Sequence, residues 1–337
     1  MKKNLIYLIL FVLLLAMAAY LVTRDRSISL DPKDVSFRVA DSAAVNRIFM
    51  ADRKGGKVLL TRQADGHWLV NNKYDARPDM MKVLMETLTR MEVKTPVPKG
   101  IINTVKTNIA TVGIKVEIYS GPKSKQELVF YVGSSTVDTR GTYMIKAEAD
   151  LPFILYMPGW EGYLTPRFFT SEEQWRERVL FRFNPTEVVR FAVQYPDTPG
   201  RDFAIERTND SSYVLIDPAN NSRQTFNTAT GNAIWKDFAL FRVEGFENEV
   251  PIRDSVITMV PPIFNATITE RSGKTHYITT FFKSQLNTID VVLMQGFPDL
   301  DRQYFYYREG KEFGVMQSLV TPWFFMSKAQ IIERANR

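Results

Sequence analysis

The chain has 337 residues, 45% of them hydrophobic and 24% charged, with a formal net charge of +6 and no cysteine. That length suggests about two domains, and the composition is that of a folding chain. Without cysteine there are no disulfides, thiolate nucleophiles, iron–sulfur clusters or acylated cysteine, and the two histidines, His67 and His276, cannot by themselves form an HExxH or three-histidine metal site.

Asn4 to Val22 is an uncharged apolar run of nineteen residues, preceded by Lys2 and Lys3 and closed by Arg24, Asp25 and Arg26. As a helix it would span roughly 29 Å, close to the ~30 Å hydrocarbon core of a bilayer. Ala16-Met17-Ala18 resembles a signal-peptide cleavage site. Tyr20, Leu21 and Val22 carry the run beyond that cut, which favours a retained anchor. The flanking positive charges nearly balance, so they orient it weakly. A short N-terminus before a long polar region reads as a signal anchor that exports everything after Thr23, which places the protein in a bacterial inner membrane with its bulk in the periplasm.

After the linker SISLDPKD, FRVADSAAVNRIFM opens a first unit with a strand covered on both faces. Lys57–Arg62 and Trp68–Val70 flank an Asp65-Gly66 pair, which is a hairpin signal. His67 at that turn reads as a hairpin residue, since no acid or nucleophile partner lies nearby in the sequence. Asp79, after Pro78, is placed to cap a helix in which Met81, Leu84, Leu88 and Met91 recur at helical spacing. Those methionines read as core rather than as a promiscuous groove. A second helical pattern, Ile102, Val105, Ile109 and Val112, ends at Gly113, and strands at 114–118, 128–132, 143–145 and 153–156 follow. Gly133-Ser134-Ser135 reads as a short polar turn, without the lysine of a phosphate loop. Lys94, Lys99, Lys106, Lys115, Lys123 and Lys125 are opposed locally by Glu117 and read as a solvated face, with an anionic surface as the alternative. No basic stretch interleaved with aromatics points to nucleic acid.

The first unit closes on LTPRFFTSEEQWRER (Leu164–Arg178), and the chain closes on VTPWFFMSKAQIIER (Val320–Arg334). Eight of the fifteen positions are identical at a constant offset of 156, which indicates an internal duplication. Other pairs agree: Phe37-Arg38-Val39 with Phe181-Arg182-Phe183, Val45-Asn46-Arg47 with Val188-Val189-Arg190, Arg62 and Trp68 with Arg207 and Tyr213, and Ser120-Gly121 with Ser272-Gly273. Asn209-Asp210-Ser211-Ser212 replaces the Asp-Gly turn, residues 233–240 occupy the helix position, and residues 303–307 correspond to 142–145. The expected fold is α+β: a transmembrane segment with its flanks (1–26), then tandem units with antiparallel sheets at 27–178 and 179–337. In the shared closing stretch the prolines interrupt strand pairing. Ser171 with Gln174, and Ser327 with Gln330, have the spacing of capping boxes, and Met326 with Ile331 that of a hydrophobic staple.

The DGHW hairpin at Asp65–Trp68, the helix after it, the VxI-type strands and the Gly133-to-Tyr143 segment resemble a membrane-anchored bacterial family, the domain of unknown function 4340. The resemblance implies association with membrane machinery, often beside ABC-type transport components or gliding-like systems, and it carries no catalytic residues.

Three function classes follow. The first is a non-enzymatic accessory or scaffold protein that binds other envelope proteins. The second is an envelope glycan- or lipid-binding module. Aromatic residues offer either one a surface: Trp160, Tyr163, Tyr306, Tyr307 and Trp323, with Tyr304 and Phe305 beside them. The third is a carboxylate-dependent hydrolase drawing on Asp138, Glu148, Asp299 or Asp301, which also read as surface solvation. No GxSxG, SxxK or metal-ligand spacing supports an enzyme, and no catalytic residue, cofactor or metal is expected. The two copies differ most around Arg167, which stands opposite Trp323, and in the Trp160–Tyr163 loop of the first copy.

Overall fold

The computed structural model describes residues 11–20, 35–183, 186–209, 212–226, 229, 231–232, 240–284, 299–318 and 328–335. The chain divides into two compact units, Met1–Trp175 and Arg176–Arg337. Within the apolar N-terminal run, residues 11–20 form a helix, α1. The remainder of the expected anchor and the SISLDPKD linker lie outside the described residues. Among the described residues no helix is long and apolar enough to cross a membrane.

The first unit is built on one nine-stranded antiparallel sheet: β1 (Val45–Ala51), β2 (Lys57–Arg62), β3 (Trp68–Val70), β4 (Tyr74–Asp75), β5 (Glu92–Pro96), β6 (Ile114–Ser120), β7 (Lys125–Ser135), β8 (Thr142–Lys146) and β9 (Phe153–Tyr156). Their spatial order is β4-β3-β2-β1-β6-β7-β8-β9-β5. Successive strand residues point to opposite faces. Ile48, Met50, Val58, Leu60, Val116, Ile118, Phe130 and Val132 therefore share an inner face, and all are fully buried. The helix α2 (Pro78–Arg90) packs Met81, Leu84 and Leu88 into that core, and Met91 follows it in.

Pro78 opens α2 where its missing N–H costs nothing. Asp79 is consequently inside the first turn and is not the cap. It accepts from Arg77 Nη2 at 2.6 Å and meets the positive end of the helix dipole. On the opposite face, α3 (Ile102–Val112) packs Val105 and Ile109 against Tyr131, Tyr143, Ile145 and Ile154. Gly133 is not in a turn: it lies within β7, and a Cβ there would stand 2.7 Å from the Ile109 side chain. Its lack of a side chain lets the helix approach the strand.

Residues Thr165–Arg167 form a tight single turn, and Glu172–Trp175 form α4, which puts fully buried Trp175 into the core. The capping box at its start does not form. Ser171 Oγ donates to Glu173 Oε2 at 3.1 Å, since α4 is only four residues long and Ser171 turns to its acidic first turn.

The second unit repeats this topology. Its sheet comprises β11 (Val188–Gln194), β12 (Phe203–Asn209), β13 (Ser212–Asp217), β14 (Ser222–Phe226), β16 (Gly245–Phe246), β17 (Pro262–Glu270), β18 (Thr275–Phe281), β19 (Arg302–Tyr307) and β20 (Glu312–Gln317). The order is β14-β13-β12-β11-β17-β18-β19-β20-β16, strand for strand that of the first unit. A separate ribbon pairs β10 (Val179–Arg182) with β15 (Leu240–Arg242). The core is rich in phenylalanine, with Phe191, Phe203, Phe264 and Phe305 fully buried, and α5 (Arg253–Met259) covers β18–β20 as α3 covers β7–β9.

Register agrees as well as order. The β1–β6 pairing shifts between Val45 and Arg47, and the β11–β17 pairing shifts between Val188 and Arg190. A bulge in the same place of both strands is a feature of the repeat unit. Arg62 pairs across strands with Trp68, and Arg207 with Tyr213. Gly121 and Gly273 both take positive φ, 73° and 87°, at the equivalent hairpin. The middle of the Asn209–Ser212 turn, the 233–239 segment, Ser327, Met326 and Trp323 lie outside the described residues; Leu240 opens β15, and the final helix, α6, is Lys328–Ala335.

Candidate functional site

Trp323 lies outside the described residues, and the other aromatic residues singled out by the sequence are placed differently within their own units. Trp160 is half-buried against the first core, and the Arg167 guanidinium lies 4.2 Å over its ring. Arg167 also donates to Thr87 Oγ1 at 3.0 Å, and burial lowers its pKa from the ordinary value. Tyr163 is exposed. Tyr306 and Tyr307 are neighbours on β19 and point to opposite faces: Tyr306 packs toward α5, and Tyr307 on the main core of the second unit. Two of the acidic residues serve turns. Asp138 accepts from Thr136 Oγ1 at 2.5 Å, and Asp299 accepts the backbone N–H groups of Asp301 and Arg302. His67 does have an acid partner, contrary to the expectation from the sequence: it bonds to Asp65 two residues away, and both side chains are exposed at their own hairpin. Among the described residues no group of His, Asp or Glu side chains is arranged to hold a metal.

The strongest polar constellation is one the sequence does not single out. His276 on β18 is 3% exposed. Its Nε2 lies 2.7 Å from Glu270 Oε1, and its Nδ1 lies 2.7 Å from the Tyr307 hydroxyl. With Glu270 ionised, Nε2 donates to the carboxylate and a singly protonated ring accepts from Tyr307 at Nδ1. The hydrogen bond from His276 is the main cause that lowers the Glu270 pKa, and burial is the main cause that pushes Tyr307 up to about 12. The rings of Phe181 and Phe183 pack over His276 at 5.9 and 4.9 Å.

Repeat register identifies what the first unit has in these places. Val45 pairs with Ser120 where Val188 pairs with Glu270, and Ile118 pairs with Leu128 where Ile268 pairs with His276. Lys146 takes the place of Tyr307: its Nζ lies 5.9 Å from the Phe37 ring, as the Tyr307 ring lies 5.6 Å from Phe181. Ser, Leu and Lys thus become Glu, His and Tyr. The trio has the components of an acid–base relay, but each ring nitrogen has a protein partner and the phenol is held protonated. Chemically it is a satisfied polar lock inside an aromatic shell. The available sequence signal was the alternation of His276, Ile278 and Thr280 along β18, all buried.

The second contrast lies on the face of each sheet opposite its main core. In the first unit a cross-strand row reads Leu69–Thr61–Arg47–Tyr119, and the next reads Leu59–Phe49–Glu117–Val129. In the second unit the same rows read Val214–Glu206–Arg190–Thr269 and Ala204–Ala192–Thr267–Tyr277. Phe49 and Leu59 are half-buried and replace two alanines. Arg190 pairs with Glu206, whose other oxygen takes Arg223 at 3.0 Å. Arg47 faces Thr61 instead and stacks at 3.8 Å over the Tyr119 ring. Glu117, the nearest carboxylate on this face, is held by Lys115 and by the Tyr119 hydroxyl, both at 2.6 Å.

A family model described as a domain of unknown function (DUF4340) matches residues 68–255, more than half of the chain. No curated protein matches, and neither does any solved structure.

Proposed function

We propose that this chain, which belongs to the family described as a domain of unknown function (DUF4340), is a non-enzymatic accessory or scaffold protein that binds other envelope proteins. In this reading the apolar run Asn4–Val22 holds it in a bacterial inner membrane, and the two sheet units lie in the periplasm. Its partners are membrane or envelope proteins, such as those of an ABC-type transport or gliding-like complex.

The observation that carries the reading is the divergence of the two outer sheet faces. Where one scaffold is written twice, the copy that shields its face with small residues and an internal ion pair shows what the fold requires. The other copy, with half-buried Phe49, Leu59 and Leu69 around Arg47, carries apolar surface that folding does not demand. The Glu270–His276–Tyr307 trio, with His276 buried and both its ring nitrogens bonded to protein, supports a structural role in preference to catalysis.

The test is affinity purification of tagged full-length protein from detergent-solubilised membranes at native expression. A stoichiometric partner is expected, and it should be lost in the Phe49→Ala/Leu59→Ala variant, which gives the first unit the face of the second. A clean monomer would count against the reading. Protease protection in spheroplasts tests the topology: both units should be degraded from outside.

One observation favours the ligand-binding alternative, a groove of about 420 Å³ lined by Lys115, Gln126, Tyr131, Lys146 and Glu148 among others. Its mixed donors and acceptors suit a glycan. Saturation-transfer NMR with envelope oligosaccharides, compared between wild type and Tyr131→Ala, would detect it.

A further inference from the structure

The two copies disagree about one charge, and the disagreement identifies a ligand. Arg47 and Arg190 occupy the same position, directly after the same bulge and at the centre of the same cross-strand row. In the second unit the residue opposite is Glu206, which takes the Arg190 guanidinium on one carboxylate oxygen and Arg223 on the other. In the first unit the residue opposite is Thr61. Among the described residues Arg47 has no carboxylate within ion-pair distance, and Arg47 Nε and Thr61 Oγ1 are buried atoms without a hydrogen-bond partner. A guanidinium presents five donors in a fixed fork suited to a carboxylate. Glu117 is attracted to Arg47 through space, but its oxygens are bonded to Lys115 and the Tyr119 hydroxyl, so it does not fill that fork. Tyr119 covers one face of the guanidinium and holds it in place.

The surroundings narrow the class of anion. Leu69 lies beyond Thr61 in the row of Arg47, and Phe49 and Leu59 pair with each other in the next row. All three are half-buried. A basic centre among apolar residues on an extended sheet face suits a polypeptide that brings an acidic side chain between apolar ones, more than it suits a small free acid.

We propose that the face around Arg47 and Thr61 is the docking site for a partner polypeptide that supplies an aspartate or glutamate carboxylate, the external counterpart of Glu206. The inference rests on the scaffold reading and specifies the chemistry of its partner. Thr61 is the specificity-determining position: a threonine leaves the arginine open, and a glutamate would close it from within.

The experiment uses the full-length protein in native membranes with a photo-crosslinking amino acid at position 69, in the background of wild type, Thr61→Glu and Thr61→Gln. Thr61→Glu rebuilds the Arg190–Glu206 pair in the first unit, so it keeps the fold while occupying the arginine. The expected result is one protein adduct whose crosslinked peptide contains Asp or Glu next to apolar residues. Its yield should fall about tenfold or more with Thr61→Glu, as expected for like-charge juxtaposition and loss of the arginine, and persist with Thr61→Gln. An adduct undiminished by Thr61→Glu, a crosslinked segment without an acidic residue, or a lipid adduct would overturn the proposal and leave the scaffold reading standing. Absence of any adduct in the wild type, together with no partner on purification, would remove both.

Discussion

Arg47 and Arg190 stand at the same bulged position of two copies of one sheet, and only Arg190 meets a carboxylate across the strand. The difference is a single residue, Thr61 against Glu206. In the second unit the arginine is ion-paired within the fold; in the first it acts on Glu117 only through space, and no carboxylate among the described residues lies within ion-pair distance of it. This makes the arginine's partner a variable that one substitution can set.

Stability should respond to that substitution in a definite direction. Thr61→Glu places opposite charges directly across β1 and β2, a geometry that contributes up to about 1 kcal/mol. Arg47 lies half-buried, which limits but does not cancel the gain. The first unit of Thr61→Glu should therefore unfold at a higher urea midpoint than wild type, with an unchanged slope. The gain should vanish in Thr61→Glu/Arg47→Met.

The Glu270–His276–Tyr307 lock can be tested by returning it toward the first unit. His276→Leu installs the residue found at Leu128 and leaves the Tyr307 hydroxyl without its 2.7 Å partner. A part-buried polar group that loses its partner costs about 1–3 kcal/mol. His276→Leu/Tyr307→Phe removes both partners, so the double variant should cost less than the sum of the single ones. Chemical denaturation of the four proteins of the cycle measures the coupling; additive costs would mean that the hydroxyl and the imidazole are independent.

Much of the architecture was legible because local patterns repeat at constant offsets. Arg62 with Trp68 and Arg207 with Tyr213 align by eye, and they prove to be the same cross-strand pair. The spacing of Met81, Leu84, Leu88 and Met91 marks the inner side of α2 and its exit. What escaped depends on register. Glu270 and His276 flank the Ser272-Gly273 hairpin, but Tyr307 comes from a third strand, and nothing near it in the sequence announces the other two. Thr61 as the position opposite Arg47 requires the β1–β2 pairing, which a two-residue side-chain period leaves open. Gly133 reads as a turn because glycine followed by two serines normally is one; its use in making room for a helix is a tertiary fact.

Gly133 gives a test of that packing. A Cβ at this position would lie 2.7 Å from Ile109 Cγ1 and 3.0 Å from the Tyr143 carbonyl oxygen, so α3 has to move away from β7. Overpacking of this kind costs about 1–3 kcal/mol. Gly133→Ala should lower the thermal midpoint of the first unit, and Ile109→Ala should cost less in that chain than in the wild type, because it removes the Cγ1 that the new Cβ meets. An unchanged midpoint in Gly133→Ala would mean that α3 is free to shift.

The buried phenols make the second unit sensitive to alkali. Burial pushes Tyr195, Tyr304 and Tyr307 up to about 12 from the ordinary value of 10.0, and all three belong to this unit. A phenol becomes charged when it loses its proton, so between these values the folded unit keeps protons that the unfolded chain has released. Folding stability then falls as pH rises. The contribution of each phenol is whole below pH 10 and is progressively lost toward pH 12. Glu270 acts at the other end: with its folded pKa lowered below 4.5, its contribution is present above that value and disappears as acidification passes through the folded pKa. Urea midpoints of the second unit, followed with tyrosinate absorbance at stepped pH, should decline between these alkaline limits. Tyr195→Phe/Tyr304→Phe/Tyr307→Phe should flatten the decline while Glu270→Gln leaves it in place, because Phe carries no proton to lose and Glu270 is ionised throughout. A triple variant that declines as steeply as wild type would assign the alkaline sensitivity to other groups.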